Sequence, residues 1–273
     1  MSWPSPWALS VRIRAPKSQR SRTRDSRVPV LTAGRREFAL FGAVYVLYDS
    51  ARWVGASSFP IARAHADRVL AIERSLHIAV EAAVQHALDS PALSLLFSNV
   101  YLAAQAIVLP GALLWLYRHS RRVYRQLRDT VVVIWLIATP IFALYPVAPP
   151  RLAETDIKDL VSRHSGISLT GHSTLFFNPY AAVPSLHVGL AFAVAVAVAS
   201  SLRRIWARAL VLLWGPLVTV AVVATGNHYL FDAASGLGLA CLAFAVTRAA
   251  TRHQLRLRAW SAAVRFQPAE GRT

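Results

Sequence analysis

The chain is poor in several things. It has one cysteine among its 273 residues, Cys241, set inside an apolar stretch, which excludes an intrachain disulfide and leaves no dithiol pair for redox chemistry. It has two lysines, Lys17 and Lys158, so arginine carries nearly all of the positive charge. Only 16% of the residues are charged, against roughly 25% in soluble domains. Residues 1–36 hold no apolar core of the roughly 7–15 residues that a secretory signal needs. They are rich in Arg, Ser and Pro and read as a disordered basic tail. That composition also suits an organelle transit peptide, whereas the preference for Arg and Ala over Lys points to a GC-rich bacterial genome. No internal repeat is visible.

Apolar residues, by contrast, make up 55% of the chain, and the mean hydropathy is +0.40. Six apolar runs approach the roughly 20 residues a helix needs to cross a bilayer: about 38–57, 94–117, 130–147, 181–200, 206–224 and 229–247. Pro110 and Pro140 fall inside two of them, as lipid-embedded helices allow when neighbours satisfy the freed carbonyls. The expected fold is all-α, an integral membrane bundle of six transmembrane helices. It forms one domain over residues 37–248, between the basic tail of residues 1–36 and a second basic tail at 249–273.

A net charge of +17 invites a nucleic-acid reading, but its distribution argues for a membrane. Of the 30 basic residues, nine lie in the N-terminal tail, five between Arg118 and Arg128, three between Arg203 and Arg208, and six from Arg248 onward. These blocks fall in alternate connections between the spans, which is the positive-inside pattern and puts both termini in the cytoplasm. The expected location is a bacterial inner membrane, with anionic lipid headgroups, and no nucleic acid, as the partners of these arginines.

Three connections then face the other side. The first, about 58–93, has apolar residues at three- and four-residue spacing and predicts an amphipathic helix along the interface; His65, His77 and His86 read as surface residues on it. The second opens with "PVAPPR", whose prolines force an extended path and deliver Arg151 on a stiff arm. There it can snorkel to lipid phosphate or clamp a substrate phosphate through two parallel bonds. The same connection ends in "NPYAAVPSLH". Pro184 suits the first turn of a helix, whose free N–H groups around Ser185 and Leu186 form an anion site beside His187. The third, "TGNHYLFDAASG", puts His228 and Asp232 four apart, on one face of a helix, where a carboxylate fixes the imidazole tautomer and stabilises the imidazolium. An Asp near the start of an apolar helix is costly, which favours function. Arg151, His187, His228 and Asp232 thus come from separate connections to one membrane surface.

At "PVAPPR", "NPYAAVPSLH" and "GNHYLFDAASG" the chain resembles the type-two phosphatidic acid phosphatase superfamily. Within it, the chain is similar to the branch of inositol phosphorylceramide synthases and their bacterial relatives. The resemblance implies a six-helix enzyme with an extracytoplasmic active site. It would form a phosphohistidine with no metal or cofactor and pass the phosphoryl group of a lipid phosphate to water or an alcohol. His228 would be the nucleophile, Asp232 its orienting partner and His187 the acid and base; Arg151 with the donors at Ser185 and Leu186 would hold the phosphoryl oxygens. Such transfer is mainly positioning and charge stabilisation, and a covalent step divides one barrier into two.

The chain departs from the wider superfamily at Leu144, where that family has lysine, at Leu152 (proline), at Leu186 (glycine) and at Ala221-Val222 (a Ser-Arg pair ahead of the histidine). The inositol-phosphotransferase-like branch shares these departures. They leave fewer cations for the phosphate, with Lys158, His172 or Arg52 as replacements. Two other functions fit parts of the pattern. A transporter could use His187, His228 and Asp232 as a proton relay, although spans four to six carry no deeper ionisable residues to continue it. A hydrolase could use the same three side chains as metal ligands.

Overall fold

The computed structural model describes residues 37, 39–44, 46–47, 59–165 and 179–265. Among these residues no strand is formed; the backbone is helical apart from its connections and one isolated bridge between Val147 and Ala181. The described residues from Leu40 onward form one compact unit. Of the expected first span, residues 39–44 and 46–47 are helical, and the rest lies outside the described residues, as do residues 1–36.

Two helices cover the first connection, α1 (Phe59–Ser75) and α2 (Glu81–Ala87). The next helix starts at Pro91, where Ser90 caps it by accepting from the Leu93 N–H at 3.3 Å and the proline occupies a position whose donor would be unused anyway. This α3 (Pro91–Ala103) loosens into a π turn over Ala104–Val108 before continuing as α4 (Leu109–His119). Pro110, two residues after the end of that turn, cannot donate to the preceding carbonyls, which gives the widened register a cause. Then come α5 (Arg121–Leu144), α6 (Pro150–Ala153), α7 (Leu160–Ser165), α8 (Leu186–Ser201), α9 (Ile205–Leu212), α10 (Trp214–Ala224) and α11 (Leu230–Arg265).

Among the described residues, four helical stretches are long and apolar enough to cross a membrane: Pro91–His119, Arg121–Leu144, Ile205–Ala224 and Leu230–Leu257. The expected fourth span is shorter than a full span. Leu186–Ser201 has 16 residues, about 24 Å of helix, because Ser185 fixes its start and the chain leaves the helix at Leu202. The last helix runs to Arg265, so much of the expected C-terminal tail is helical. The core forms where α5 presents Leu127, Val131, Ile134 and Ala138, at three- and four-residue spacing, to Leu190 and Val194 of α8 and to Leu239, Ala240 and Ala243 of α11.

The amphipathic α1 does more than cover an interface. It buries Ala62, Ala66, Val69 and Leu70 against Val147, Ala148, Ala153, Ala182 and Tyr229, so it roofs the connections that carry the motifs. His77 and His86 are exposed, as read from the sequence, but His65 is half-buried. Its Nδ1 lies 2.7 Å from the Pro146 carbonyl and its ring stacks on Tyr145. Two carboxylates from this roof reach the start of α11. Glu73 Oε1 accepts from the Phe231 N–H at 2.6 Å and Glu81 Oε1 from the Leu230 N–H at 2.8 Å. Asp232 Oδ2 reaches back to the Tyr229 N–H at 2.9 Å, in the manner of the third residue of a capping box. Three consecutive donors of the helix N-terminus are therefore met by three carboxylates, which its positive dipole end favours.

Glu73 is wholly buried. Burial, with the charges of Glu81 and Asp232 against the opposing Phe231 hydrogen bond, raises its carboxyl from the usual 4.5 to about 8. The folded protein thus holds a proton that the unfolded chain releases near its ordinary value. That contribution to stability is fully present below about 4.5 and is lost as pH rises through about 8. Thermal unfolding in detergent should show Glu73→Gln, which keeps the acceptor for Phe231, matching the wild type at pH 5 and exceeding it at pH 8. A difference that does not vary between these pH values would mean that Glu73 is charged throughout.

Candidate active site

Backbone hydrogen bonds join the three motif-bearing connections at one end of the bundle. The Val147 N–H donates to the Tyr180 carbonyl at 2.8 Å, the Ala148 N–H to Ala62 at 3.0 Å and the Arg151 N–H to Gly226 at 2.9 Å. The Ser185 N–H donates to the Asp232 carbonyl at 3.0 Å. Two glycine positions make this approach possible. Gly226 turns the chain with φ of +70°, and a Cβ there would also stand 2.7 Å from Ile157; both favour a residue without a side chain. Gly236 of α11 lies against the Ser185 backbone, and a Cβ on Gly189 of α8 would come within 2.7 Å of the Gly236 carbonyl. The two helices meet backbone to backbone just inside their N-termini.

His228 stands before α11, not on it, so the expected shared helix face is replaced by a cap. Its Nδ1 lies 3.0 Å from the Ala182 carbonyl and 3.4 Å from Asp232 Oδ2. Both neighbours can only accept, so the neutral ring carries its proton on Nδ1 and keeps its lone pair on Nε2. The closer partner is the carbonyl; Asp232 Oδ2 is shared with the Tyr229 N–H, and the fully buried Oδ1 has no hydrogen-bond partner.

The His187 ring lies 5.9 Å from that of His228, centre to centre, at 56°. On its other side it stacks on Tyr101 of α3, 4.0 Å away. The mouth of α8 differs from its sequence reading. Pro184 lies outside the helix, and Ser185 is the N-cap, its Oγ 3.4 Å from the Val188 N–H. The Ser185 N–H is engaged by Asp232, as above, so the donors at the first turn without an intrahelical acceptor belong to Leu186 and His187.

Arg151 is buried on the short α6. Its Nε donates to Asn227 Oδ1 at 2.9 Å, while Asn227 Nδ2 donates to Thr225 Oγ1 at 2.8 Å. Nη1 lies 3.8 Å from Asp159 Oδ2 and makes no hydrogen bond. Burial pushes the guanidinium below its ordinary value, and Tyr101 and Asp159 oppose that shift. Lys158 is no replacement cation here: its Nζ pairs with Asp89 at 2.9 Å, and its backbone is held on both sides by Gln85. His172 and Arg52 lie outside the described residues. Leu144 is exposed.

Sequence reasoning missed Asn227, Tyr101, Glu73 and Glu81. Asn227 left a signal, since it precedes His228 within the quoted motif and is a polar residue the fold buries. The others left none, because they reach the site from helices that read as ordinary surface or span.

Residues 67–246 match the model of the PAP2 superfamily. No curated protein matches the chain. The crystal structure of LpxE from Aquifex aeolicus is similar in fold, with a TM-score of 0.51 at 15% identity over 62% of this chain and 92% of that one. The matched stretch runs from within the roofing helix α1 to within α11 and contains every side chain placed around His228 above. The chain belongs to the PAP2 superfamily.

Proposed function

We propose that the chain is an integral membrane enzyme that cleaves a lipid phosphate ester through a phosphohistidine and passes the phosphoryl group to water or to an alcohol such as inositol. The observation that carries this reading is the pair of acceptors on His228 Nδ1, which leaves Nε2 as a nucleophile. Nε2 attacks phosphorus, the ester P–O bond breaks, and protonated His187 gives its proton to the departing alcohol. Neutral His187 then takes a proton from the incoming water or alcohol. That oxygen attacks phosphorus, the P–N bond breaks, and His228 is restored. Arg151 Nη1 and the N–H groups of Leu186 and His187 stabilise the charge on the phosphoryl oxygens, and Ser185 holds the cap from which those donors point.

A relay across the membrane fits less well. The buried charged side chains among the described residues are Glu73, Glu81, Arg151, His228 and Asp232, and all belong to this one end. The proposed steps call on no metal. The bundle alternates direction, so the arginine-rich starts of α5 and α9 lie at the end away from His228. With positive charge inside, that end is cytoplasmic and the site extracytoplasmic; six crossings would count the short α8 and the first span over about 38–57, most of which lies outside the described residues.

Topology has a direct test. In a Cys241→Ser background, a cysteine at Thr155, which is exposed on the site side, should react with a membrane-impermeant thiol reagent added to intact cells. One at Arg203, exposed at the far end, should not. The opposite labelling would place the chemistry in the cytoplasm.

Arg151→Lys should lose activity by about 10²-fold, because an ammonium cannot hold both Asn227 and a phosphoryl oxygen. Asn227→Ala should lose less, through a misaligned guanidinium. Equal, near-normal turnover in both would make Arg151 a lipid anchor.

Rapid-quench trapping with a labelled aryl phosphate separates the histidines. Wild type, in the presence of a chelator, should form an acid-labile phosphoenzyme, and His228→Ala none. His187→Ala should accumulate it, because an aryl leaving group needs little protonation while the acceptor lacks its base. A phosphoenzyme on His228→Ala but not on His187→Ala would exchange the two roles.

A further inference from the structure

The end of the bundle away from His228 holds a cleft of about 450 Å³ between the first turns of α5 and the later part of α11. Five arginines line it, Arg122, Arg125, Arg128, Arg248 and Arg252, with a single acid, Asp129. That acid is taken: Arg128 holds it with Nη2 at 2.7 Å and Nε at 2.8 Å. None of the other four arginines has an acidic partner within ion-pair distance among the described residues. Like charges gathered in a concave site raise a potential that draws an anion.

The cleft is also built. Thr130 and Thr247 approach within 3.3 Å, hydroxyl to hydroxyl, and pin α5 to α11 just inside it. Arg248 lies over the Phe244 ring, 5.4 Å from its centre, and Arg128 over Tyr124 at 6.0 Å, which holds both heads in place. A second crevice of about 330 Å³ adjoins it, with Gln126 and Arg248 lining both. Beyond that shared wall the lining is mainly apolar, from Val123 and Leu127 of α5, Ala193, Val196 and Ala197 of α8 and Phe244 of α11. The small side chains of α8 leave the space. A charged chamber opening on an apolar one, where membrane helices emerge, matches the two halves of a phospholipid.

We propose that this cleft is a second lipid site, distinct from the catalytic one: the phosphate of an anionic phospholipid sits among Arg122, Arg125, Arg248 and Arg252, and an acyl chain enters the crevice beside Ala193. Guanidinium recognises phosphate oxygens through paired bonds, and the small apolar lining selects a chain over a free ion. The site makes no use of His228 and stands whether or not the catalytic reading holds.

Native mass spectrometry of the full chain tests this, with phosphatidylglycerol, phosphatidylcholine and inorganic phosphate as probes. Phosphatidylglycerol should be retained in preference to phosphatidylcholine, and inorganic phosphate should not compete at comparable concentration. Arg122→Gln and Arg248→Gln should each weaken retention by about fivefold, and Ala193→Leu should weaken it without removing any charge. Far-UV circular dichroism and the thermal unfolding midpoint report that each variant is folded. Equal retention of the two lipids, or undiminished retention in all three variants, would overturn the proposal. Effective competition by inorganic phosphate would make the cleft a soluble-anion site and overturn its lipid assignment.

Discussion

The N-terminus of α11 is the constraint on which the rest of the motif-bearing end depends. Its three leading N–H groups, from Tyr229, Leu230 and Phe231, are met by Asp232, Glu81 and Glu73. The two glutamates come from helices that lie about 150 residues earlier in the chain. Three carboxylates in one place repel one another, and the helix dipole offsets only part of that. Retention of a proton on Glu73, whose carboxyl is held up at about 8, removes much of the remainder. The roof made by α1 and α2 is thereby fastened to the helix that carries Asp232, the neighbour of His228.

From that fixed point the geometry propagates. Asp232 uses its carboxylate on Tyr229 and its carbonyl on Ser185, so one residue joins the cap of α11 to the cap of α8. Gly189 and Gly236 let the two helices close to backbone contact, which brings the rings of His187 and His228 together. The arm through Val147 is bonded to the segment that supplies the Ala182 carbonyl, and that carbonyl is the nearer acceptor for His228 Nδ1. The tautomer of His228 is therefore set mainly by a rigid backbone, with the carboxylate in support. Orientation by a main-chain carbonyl costs no side-chain entropy.

How much of this was legible in the sequence follows from the range of each interaction. Apolar runs and arginine blocks are local, so the membrane class and the end that gathers charge could be read directly. His187, His228, Asp232 and Arg151 were legible because each lies in a short segment whose composition breaks an apolar pattern. The shortened α8, by contrast, is decided by Ser185 and by its engagement with Asp232. The pairing of Arg151 with Asn227 spans 76 residues, and no periodicity announces it. Glu73 and Glu81 look like the polar face of an amphipathic helix, and only the position of α11 turns that face inward.

The scarcity of cations at the site now has a physical reading. Arg151 is buried, held at Nε by Asn227 and faced at Nη1 by Asp159 only at 3.8 Å. On the proposed reading, a guanidinium fixed at one edge and lightly engaged at the other needs little reorganisation to meet a phosphoryl oxygen. Lys158, spent on Asp89 at the surface, adds no charge there. A single desolvated cation acts in a lower dielectric than several solvated ones would. Among the described residues, arginines gather instead at the opposite end, around the cleft proposed to hold an anionic lipid. The apolar core between α5, α8 and α11 keeps these two polar ends apart, so on the proposed reading the chemistry at one need not disturb the lipid held at the other.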